Sequence, residues 1–259
     1  MRKVLLIIFI LTNTFNSVAQ NNSFGEIDYE FTIPQRSRIL VRNAKLYFND
    51  SISYFVHSRK IDKIIEETIS KQDVSTGNIR VPVENIDDIG SFVFRSFNNK
   101  QIVARKAKSK TAKGLYLNDN WKELEWKVID SYKKIENFKC QKAKANFRGR
   151  NYTVWFTAEI PVQYGPWKLF GLPGLILEAE DDTKEFIIKV KKITLKNELV
   201  KLDLPSPAND DTVVNFYQYQ GALAKEADEF FSKFYAALPK GTIYEHHKGN
   251  PNPIELKWE

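Results

Sequence analysis

The residues of this chain that could do chemistry are few and widely spaced. The 259-residue sequence has one cysteine, Cys140, and three histidines, His57, His246 and His247. A nucleophilic thiol needs a general base beside it, and none of the histidines lies in a recognisable nucleophile motif. Polar and apolar residues alternate around Cys140, which predicts a buried strand position where a thiol packs as a small hydrophobe. A single cysteine also excludes an internal disulfide.

Two groups of side chains have donor atoms suited to a cation. Four carboxylates surround a predicted hairpin tip: Glu178, Glu180, Asp181 and Asp182. Carboxylates at such a tip are usually solvated. In the other group, Glu245-His246-His247, adjacent residues of a strand face opposite ways, so the two imidazoles cannot simply share one ion. We therefore predict neither a metal site nor a cofactor.

The most distinctive stretch is residues 165–177, where turn-forming residues alternate with large apolar ones. The residues that define this motif are Gly165, Pro166, Gly171, Leu172, Pro173, Gly174, Leu175 and Ile176. Proline fixes φ and glycine accepts positive φ, so we expect a type II turn with Pro173 second and Gly174 third. We also expect Gly171 to allow a close backbone approach, and Leu172 and Leu175 to point inward.

Two interpretations of this stretch remain open. It is either a buried corner that begins a central hairpin or a rigid lip of an apolar pocket. The candidate pocket residues are Trp167, Phe170, Leu172, Phe230 and Phe234. A catalytic role is disfavoured because the stretch holds no nucleophile, acid or base, and its glycines do not follow a phosphate-loop spacing.

Most of the remaining chain has the alternation that is typical of strands. The predicted strands are 26–33, 44–48, 52–56, 91–97, 101–105, 114–117, 126–129, 139–147, 151–157, 175–179 and 185–193. Pro34 is expected to end the first. Hairpin loops are predicted at 49–51, 98–100, 148–150 and 180–184. Residues 60–85, which include Ile61, Ile64, Ile65 and Ile69 at helical spacing, are interpreted as an excursion between strands.

One helix is predicted, from Asp211 or Thr212 to Leu238. Its apolar stripe consists of Phe216, Tyr219, Leu223, Ala227, Phe230, Phe231, Phe234 and Leu238. Asp210, Asp211 or Thr212 could cap its start. The stripe favours packing on the sheet; the alternative is a lid over an apolar cavity.

Composition indicates a globular protein of moderate charge, and a length of 259 residues fits one large domain or two small ones. Hydrophobic residues make up 42%, charged residues 27% and aromatic residues 13% of the sequence. The net charge of +7 is spread along the chain, whereas a nucleic-acid surface needs a clustered patch. The densest basic run, residues 100–113, fits an exposed hairpin as well as an acidic lipid surface.

The first twenty residues are interpreted as an export signal. Arg2 and Lys3 precede an apolar run over residues 4–11, and Ser17-Val18-Ala19 supplies the small residues of a cleavage site. Eight apolar residues are too few for a permanent membrane helix. The expected organisation is a signal peptide, 1–20, and a single domain, 21–259, that is periplasmic or extracellular and soluble.

Several segments together resemble the GLPGLI family of Bacteroidetes, which is named for the hexapeptide at 171–176. The matching segments are 140–143, 147–152, 155–157, 160–162, 165–167 and 171–176, and residues 46–49 and 252–256 also resemble members of the family. The resemblance implies an exported protein without an assigned activity, often encoded near outer-membrane receptor genes.

We predict a mainly β fold, a curved antiparallel sheet or half-barrel with one packed C-terminal helix. By analogy it is similar to the half-barrels of periplasmic lipoprotein carriers. The predicted function is a non-catalytic binding or carrier module of the cell envelope, for an apolar ligand or an outer-membrane protein partner. The alternatives are an envelope hydrolase, which would need His57 or His246 beside a carboxylate and a hydroxyl, and a structural accessory of an outer-membrane receptor.

Overall fold

The structure is a computed structural model that describes residues 24–35, 38–57, 63–66, 89–109, 112–198 and 200–236. The predicted export signal, the pair His246 and His247, and the 252–256 segment lie outside these ranges. The strands are β1 Phe24–Gln35, β2 Arg38–Phe48, β3 Ile52–His57, β4 Lys63–Glu66, β5 Ser91–Ser96, β6 Gln101–Lys106, β7 Leu115–Asp119, β8 Lys127–Ile135, β9 Phe138–Phe147, β10 Arg150–Thr157, β11 Leu175–Asp181, β12 Ile187–Lys196 and β13 Thr212–Asn215. The helix is α1 Phe216–Ala236.

The strands form one open sheet in the order β13-β7-β6-β5-β3-β2-β1-β12-β11-β10-β9-β8, and β4 pairs with β2 beside this path. Every neighbouring pair is antiparallel except β13 with β7, which is parallel. The expected mainly β architecture with one C-terminal helix is confirmed. Among the described residues, no helix combines the length and the apolar composition that a bilayer-spanning segment requires.

The predicted hairpins are confirmed, and local chemistry explains their turns. At 49–51 the Asn49 side chain bends the chain, because its Oδ1 accepts from the backbone N–H groups of Ser51 and Ile52 at 3.2 and 3.0 Å. At 148–150 the consecutive residues Arg148 and Gly149 have φ of 51° and 80°. Two successive positive φ values characterise the type I′ turn, whose twist matches that of the flanking strands.

The prediction that Pro34 ends the first strand is wrong. β1 continues to Gln35 and pairs with β2 as far as Gln35↔Arg38. Its ladder with β12 ends earlier, at Thr32↔Ile187. Among the described residues, Pro34 therefore has a strand partner on one side only, where a missing N–H is tolerated.

The helical spacing of isoleucines in residues 60–85 does not produce a helix where the structure describes that segment. Residues Lys63–Glu66 form β4, which pairs antiparallel with β2 from Arg38↔Glu66 to Val41↔Lys63. The rest of the segment up to residue 88 lies outside the described residues. The extended β2 strand offers an edge there, and pairing with it overrides the weak local pattern.

The predicted start and cap of the helix are also wrong. Residues Thr212–Asn215 form β13, and α1 begins at Phe216. Asn215 is the cap: its Oδ1 accepts from Gln218 N–H at 3.0 Å, and Gln218 Oε1 accepts from Asn215 N–H at 3.1 Å. This reciprocal pair is a capping box.

Asp211 instead forms a buried ion pair with Arg105 of β6. Arg105 Nε and Nη2 donate to the two carboxylate oxygens at 2.6 and 2.7 Å, and both side chains have no exposed area. The remaining carboxylate contact is with Ala208 N–H, which donates at 2.9 Å. The pair attaches the chain entering β13 to the end of β6, two strands away in the sheet order.

The sheet is strongly curved. β7 and β9 are nine steps apart in the sheet order, which in a flat sheet would separate them by about 43 Å. Yet Arg148, in the turn after β9, donates to Asp119 at the end of β7 at 2.8 Å. Curvature therefore brings distant strands together around a shared core, which includes Ile27, Leu46, Phe55, Val154, Leu175 and Ile188.

We expect Gly114→Ala to destabilise the protein by about 2–4 kcal/mol. A Cβ at Gly114 would lie 1.9 Å from Asp211 Oδ1 and 2.9 Å from Arg105 Nη2, so it would displace the buried ion pair. The matched control is Gly221→Ala on α1, where a Cβ meets no atom within 4 Å. That change should be neutral or stabilising by up to about 1 kcal/mol. Urea denaturation measures both, and equal stabilities would contradict the prediction.

Candidate functional site

Residues 165–177, here called the corner, form a compact bend in the connection between the neighbouring strands β10 and β11, and end in the first residues of β11. Leu169 N–H donates to Pro166 C=O at 3.1 Å and closes a turn. Trp167 inside this turn has φ of 52°, a left-handed value that is costly for a bulky residue. This conformation directs the indole into the ring cluster of Phe147, Tyr152 and Phe186, at centroid distances of 5.8, 6.0 and 5.5 Å.

The glycines of the corner are required for reasons other than the predicted ones. Gly171, with φ of 97°, supplies the positive φ, and a Cβ there would come no nearer than 3.8 Å to Trp126 Nε1. Gly174 is absent from the left-handed residues among those described, so the type II turn is wrong. Gly174 is instead needed for close approach, because a Cβ would lie 2.1 Å from the carbonyl oxygen of Thr157. The expected inward orientation of Leu172 and Leu175 is confirmed by their exposures of 1% and 0%.

Side chains from distant strands hold the corner by its backbone carbonyls. Arg95 Nη2 donates to Trp167 C=O at 2.7 Å, and Trp126 Nε1 donates to Phe170 C=O at 2.8 Å. The Tyr29 hydroxyl donates to Ile176 C=O at 2.6 Å. Each bond satisfies a backbone acceptor that would be costly to bury unpaired.

Arg95 is a buried cation held by neutral groups. Its side chain donates to Ser53 Oγ at 2.7 Å as well as to the corner, and its guanidinium lies 4.7 Å from the centre of the Phe170 ring. Burial lowers the pKa of Arg95 to about 9, because removing the ion from water disfavours its charged form. Two acceptors and an aromatic face offset part of this cost.

Asp119 is the second buried charge at the corner. Lys168 Nζ lies 2.6 Å from Asp119 Oδ2, and Arg148 donates to Oδ1 at 2.8 Å. The exposed fractions of the three side chains are 0%, 4% and 2% for Asp119, Lys168 and Arg148. Burial opposes ionisation of Asp119, but Lys168 and Arg148 outweigh it, so the pKa of Asp119 lies below its ordinary value.

Arg148 also links this cluster to the helix. Its guanidinium lies 4.5 Å from the centre of the Phe216 ring, at the first residue of α1. Phe216 and Leu223 are the buried residues of the helix. The described contacts therefore tie β7, the β9–β10 turn, the corner and α1 to one charged centre.

The five predicted pocket residues fall into two separate groups. Trp167, Phe170 and Leu172 pack with the main core, where Phe170 contacts Phe97 and Trp121. Phe230 and Phe234 lie on α1, are only half-buried, and stack on each other at 6.2 Å. Because α1 packs on β13 and β7, the structure gives the two groups different surroundings.

A cavity of about 510 Å³ lies between α1 and the segment that joins β6 to β7. Its lining residues are Lys108, Ser109, Ala112, Lys113, Leu115, Asp210, Thr212, Ala222, Lys225, Glu226, Glu229 and Lys233. Most of these side chains are charged, and ion pairs such as Lys108–Asp210 occupy the wall. The space beneath the helix is therefore polar, unlike the apolar cavity considered from the sequence.

The other candidate chemical groups have structural surroundings. Cys140 is fully buried, as predicted, and burial raises its pKa to about 11, which suppresses the reactive thiolate. His57 lies beside the rings of Phe31 and Phe55 at 6.0 and 6.4 Å. Asp181, one of the four carboxylates at the predicted hairpin tip, is buried. Its Oδ2 accepts a hydrogen bond from Arg150 Nη1 at 2.5 Å. Among the described residues no group of three or more potential metal ligands comes together.

Sequence reasoning missed the residues that organise this region: Arg95, Asp119, Trp126, Arg148 and Lys168. One local signal was available for Arg95, because a charged residue directly follows the apolar run Phe92-Val93-Phe94. In the structure all six residues of this strand are buried. Such a residue needs a buried partner. The other four carry no comparable local signal, since each is an ordinary polar or aromatic residue beside a turn.

A family model described as a protein of unknown function, Porph_ging, matches residues 148–178. The match covers the turn with Arg148, strand β10 and the corner. A search of curated proteins finds no match.

Among solved structures, two crystal forms of PNGF-II have a similar chain path. In the P21 form the identity is 14% and the TM-score 0.48, with 79% of this chain and 34% of that chain covered. In the C2 form the identity is 14%, the TM-score 0.47, and the coverage 79% and 33%. The chain thus spans about a third of PNGF-II.

We expect Gly174→Ala to destabilise the protein more than Gly171→Ala. The first change places a methyl group against the backbone of Thr157 and Ala158, which cannot move aside without breaking β10. At Gly171 the added methyl group has room, but its residue must adopt a positive φ, which costs about 1–2 kcal/mol. Thermal and urea unfolding of both variants measure the order, and the reverse order would contradict the close-approach explanation.

We expect Asp119→Asn to cost about 3–5 kcal/mol at pH 7, because Arg148 and Lys168 would remain buried without their counter-charge. The pKa of Asp119 is lower in the folded than in the unfolded chain. Its contribution is therefore present above about pH 4 and is lost as the pH falls through the folded value.

Urea denaturation of wild type and Asp119→Asn from pH 7 to pH 3 measures this dependence. The difference in unfolding free energy should shrink below about pH 4. Glu123→Gln is the control, since that side chain is 74% exposed and its pair with Lys100 spans 3.9 Å. It should change stability by less than about 0.5 kcal/mol, and a pH-independent effect of Asp119→Asn would refute the electrostatic origin.

Proposed function

We propose that this protein is a non-catalytic binding module of the cell envelope, exported by its predicted signal peptide. Its binding surface is the aromatic end of α1, which receives an apolar segment of an outer-membrane protein partner. The observation that carries this proposal is the cluster of four half-buried aromatic rings at that end of the helix. These are Phe230, Phe231, Phe234 and Tyr235.

The packing at the corner supports a surface site over an internal carrier site. Trp167, Phe170 and Leu172 make ring and core contacts with several strands, so an apolar ligand would have to displace packed side chains. Displacing such packing is costly because protein interiors are close-packed. A binding function of the corner would therefore require rearrangement of the core, whereas the four rings at the end of α1 are only half-buried.

The spacing of the helix rings suits recognition of a partner. Phe230 and Phe234, and likewise Phe231 and Tyr235, are four residues apart and stack at 6.2 and 5.9 Å. Residues four apart lie on one helical face, and clustered aromatic side chains are typical anchors of protein interfaces. Lys233 in the last turn adds a cation at the border of this aromatic surface.

The surroundings of the reactive groups support a non-catalytic role. The pKa of Cys140 is raised to about 11 by burial, which is opposite to the change that activates a nucleophilic thiol. The cations Arg95, Arg148 and Lys168 are buried against the corner, where they hold backbone and carboxylate groups.

We expect the double substitution of Phe230 and Phe234 by serine to weaken binding of an apolar probe at least about tenfold, because two rings lose their buried contact area. Nile red fluorescence, titrated with the purified mature protein, measures the affinity. Tyr217→Ser is the matched control on the same helix, since Tyr217 is 82% exposed and lies outside the cluster; it should leave the affinity unchanged.

The same surface can be tested in the envelope. A photo-crosslinking amino acid at position 234 should capture a discrete outer-membrane protein, whereas the same group at position 217 should not. Equal crosslinking at the two positions, or dye binding that survives the double substitution, would refute the α1 surface.

A further inference from the structure

We infer that the outer edge of β8 binds an acidic, extended segment of a protein partner by adding it to the sheet as a further strand. This surface is separate from α1, and the inference does not depend on the function proposed for the helix. Strand addition uses backbone hydrogen bonds for affinity and side-chain pairing for specificity.

β8 is the long free edge of the sheet in the described part of the chain. It comprises nine residues, Lys127–Ile135, and stands last in the strand order with β9 as its neighbour. Nine extended residues span about 30 Å. The strand at the opposite end, β13, has four residues, so β8 offers the longer row of backbone donors and acceptors.

The side chains of β8 are accessible as well as its backbone. Val128 and Tyr132 are 46% and 50% exposed, among the most exposed large hydrophobic residues of the described chain. Tyr132 lines a cavity of about 340 Å³ with Lys134, Asn137, Lys139 and Glu159 among the other lining residues. This cavity at the hairpin end could receive a side chain of the added strand.

The charge of this hairpin selects an acidic partner. β8 and β9 together carry six lysines and the carboxylate of Asp130; the turn between them adds Glu136, and Lys133 is paired with Glu178 of β11, so the hairpin keeps an excess of positive charge. The lysines are Lys127, Lys133, Lys134, Lys139, Lys142 and Lys144. Opposite charges on directly paired strands are favourable and like charges are not, so glutamates or aspartates on the incoming strand would be preferred.

The same features disfavour pairing of β8 with a second copy of itself. Two β8 edges would bring lysines together, and lysines on an edge are a common protection against such association. The register also shifts between Ile129 and Tyr132, an irregularity that any added strand must accommodate, so the selection between the two occupants rests on charge. An acidic strand faces no charge repulsion, so the edge discriminates between the two occupants.

The test uses the mature protein and a fluorescein-labelled nonapeptide in which Glu alternates with Val. Fluorescence anisotropy measures the affinity, and hydrogen exchange measures protection of the β8 amides. We expect saturable binding that slows exchange in β8 and weakens with rising salt. The charge-reversed pair Lys127→Glu and Lys134→Glu should reduce the affinity about tenfold or more.

Two controls separate strand addition from general electrostatic attraction. The matched charge reversal at Lys201 and Lys225, which are 85% and 79% exposed, should leave the affinity unchanged. A peptide of the same sequence with alternate backbone nitrogens methylated should lose binding, because its edge cannot donate to β8.

Three results would overturn the inference. One is equal binding of the methylated and the unmodified peptide, which would show that charge alone accounts for the affinity. The β8 amides of the free protein could already be protected, which would show that another segment of the chain occupies the edge. Dimerisation that is abolished by the β8 charge reversal would assign the edge to a second copy.

Discussion

The arrangement of this protein depends on the ion pairs that the buried carboxylate of Asp119 makes. It joins the end of β7 to the turn after β9 through Arg148, and to the corner through Lys168. These elements are far apart in the strand order, so backbone ladders alone do not bring them together. Buried ion pairs add little net stability over an apolar substitute, but losing one partner is costly. We therefore regard the cluster as selecting this particular curvature of the sheet.

The corner depends on the same principle of long-range attachment. Its backbone carbonyls are satisfied by Arg95, Trp126 and Tyr29 from three different strands or loops. Its chain path is possible because Gly174 lets two backbone segments meet and Gly171 takes a left-handed angle. The corner is consequently a packed structural element, and its apolar residues complete the core.

This packing determines where a binding function can reside. With the corner occupied by its own side chains, the two binding surfaces proposed for the described chain lie elsewhere: half-buried aromatic rings at the end of α1 and a lysine-rich edge at β8. The first surface suits an apolar segment and the second an acidic strand. The two surfaces make different contributions, since apolar burial supplies affinity whereas charge pairing supplies selectivity and rate.

Much of the fold was predictable from local patterns. Alternation located eleven of the strands because a half-buried sheet imposes a period of two on the sequence, and the aromatic stripe predicted one C-terminal helix. The capping box of Asn215 and Gln218 was also readable, although three earlier polar residues, Asp210 to Thr212, competed with it. Pairing with β2 converted Lys63–Glu66 into a strand despite its helical spacing.

What the sequence by itself determined was therefore the strands, the hairpins, the helix and the burial of Cys140, each of which rests on neighbours within a few positions. The tertiary structure alone decided the partners of the charged residues. Asp211 is 106 residues from Arg105 in the sequence, and Asp119 is 29 residues from Arg148. The reason for Gly174 lies in the backbone of Thr157. Such contacts depend on sheet order and curvature, which arise from the packing of the whole chain and leave no periodic trace in the sequence.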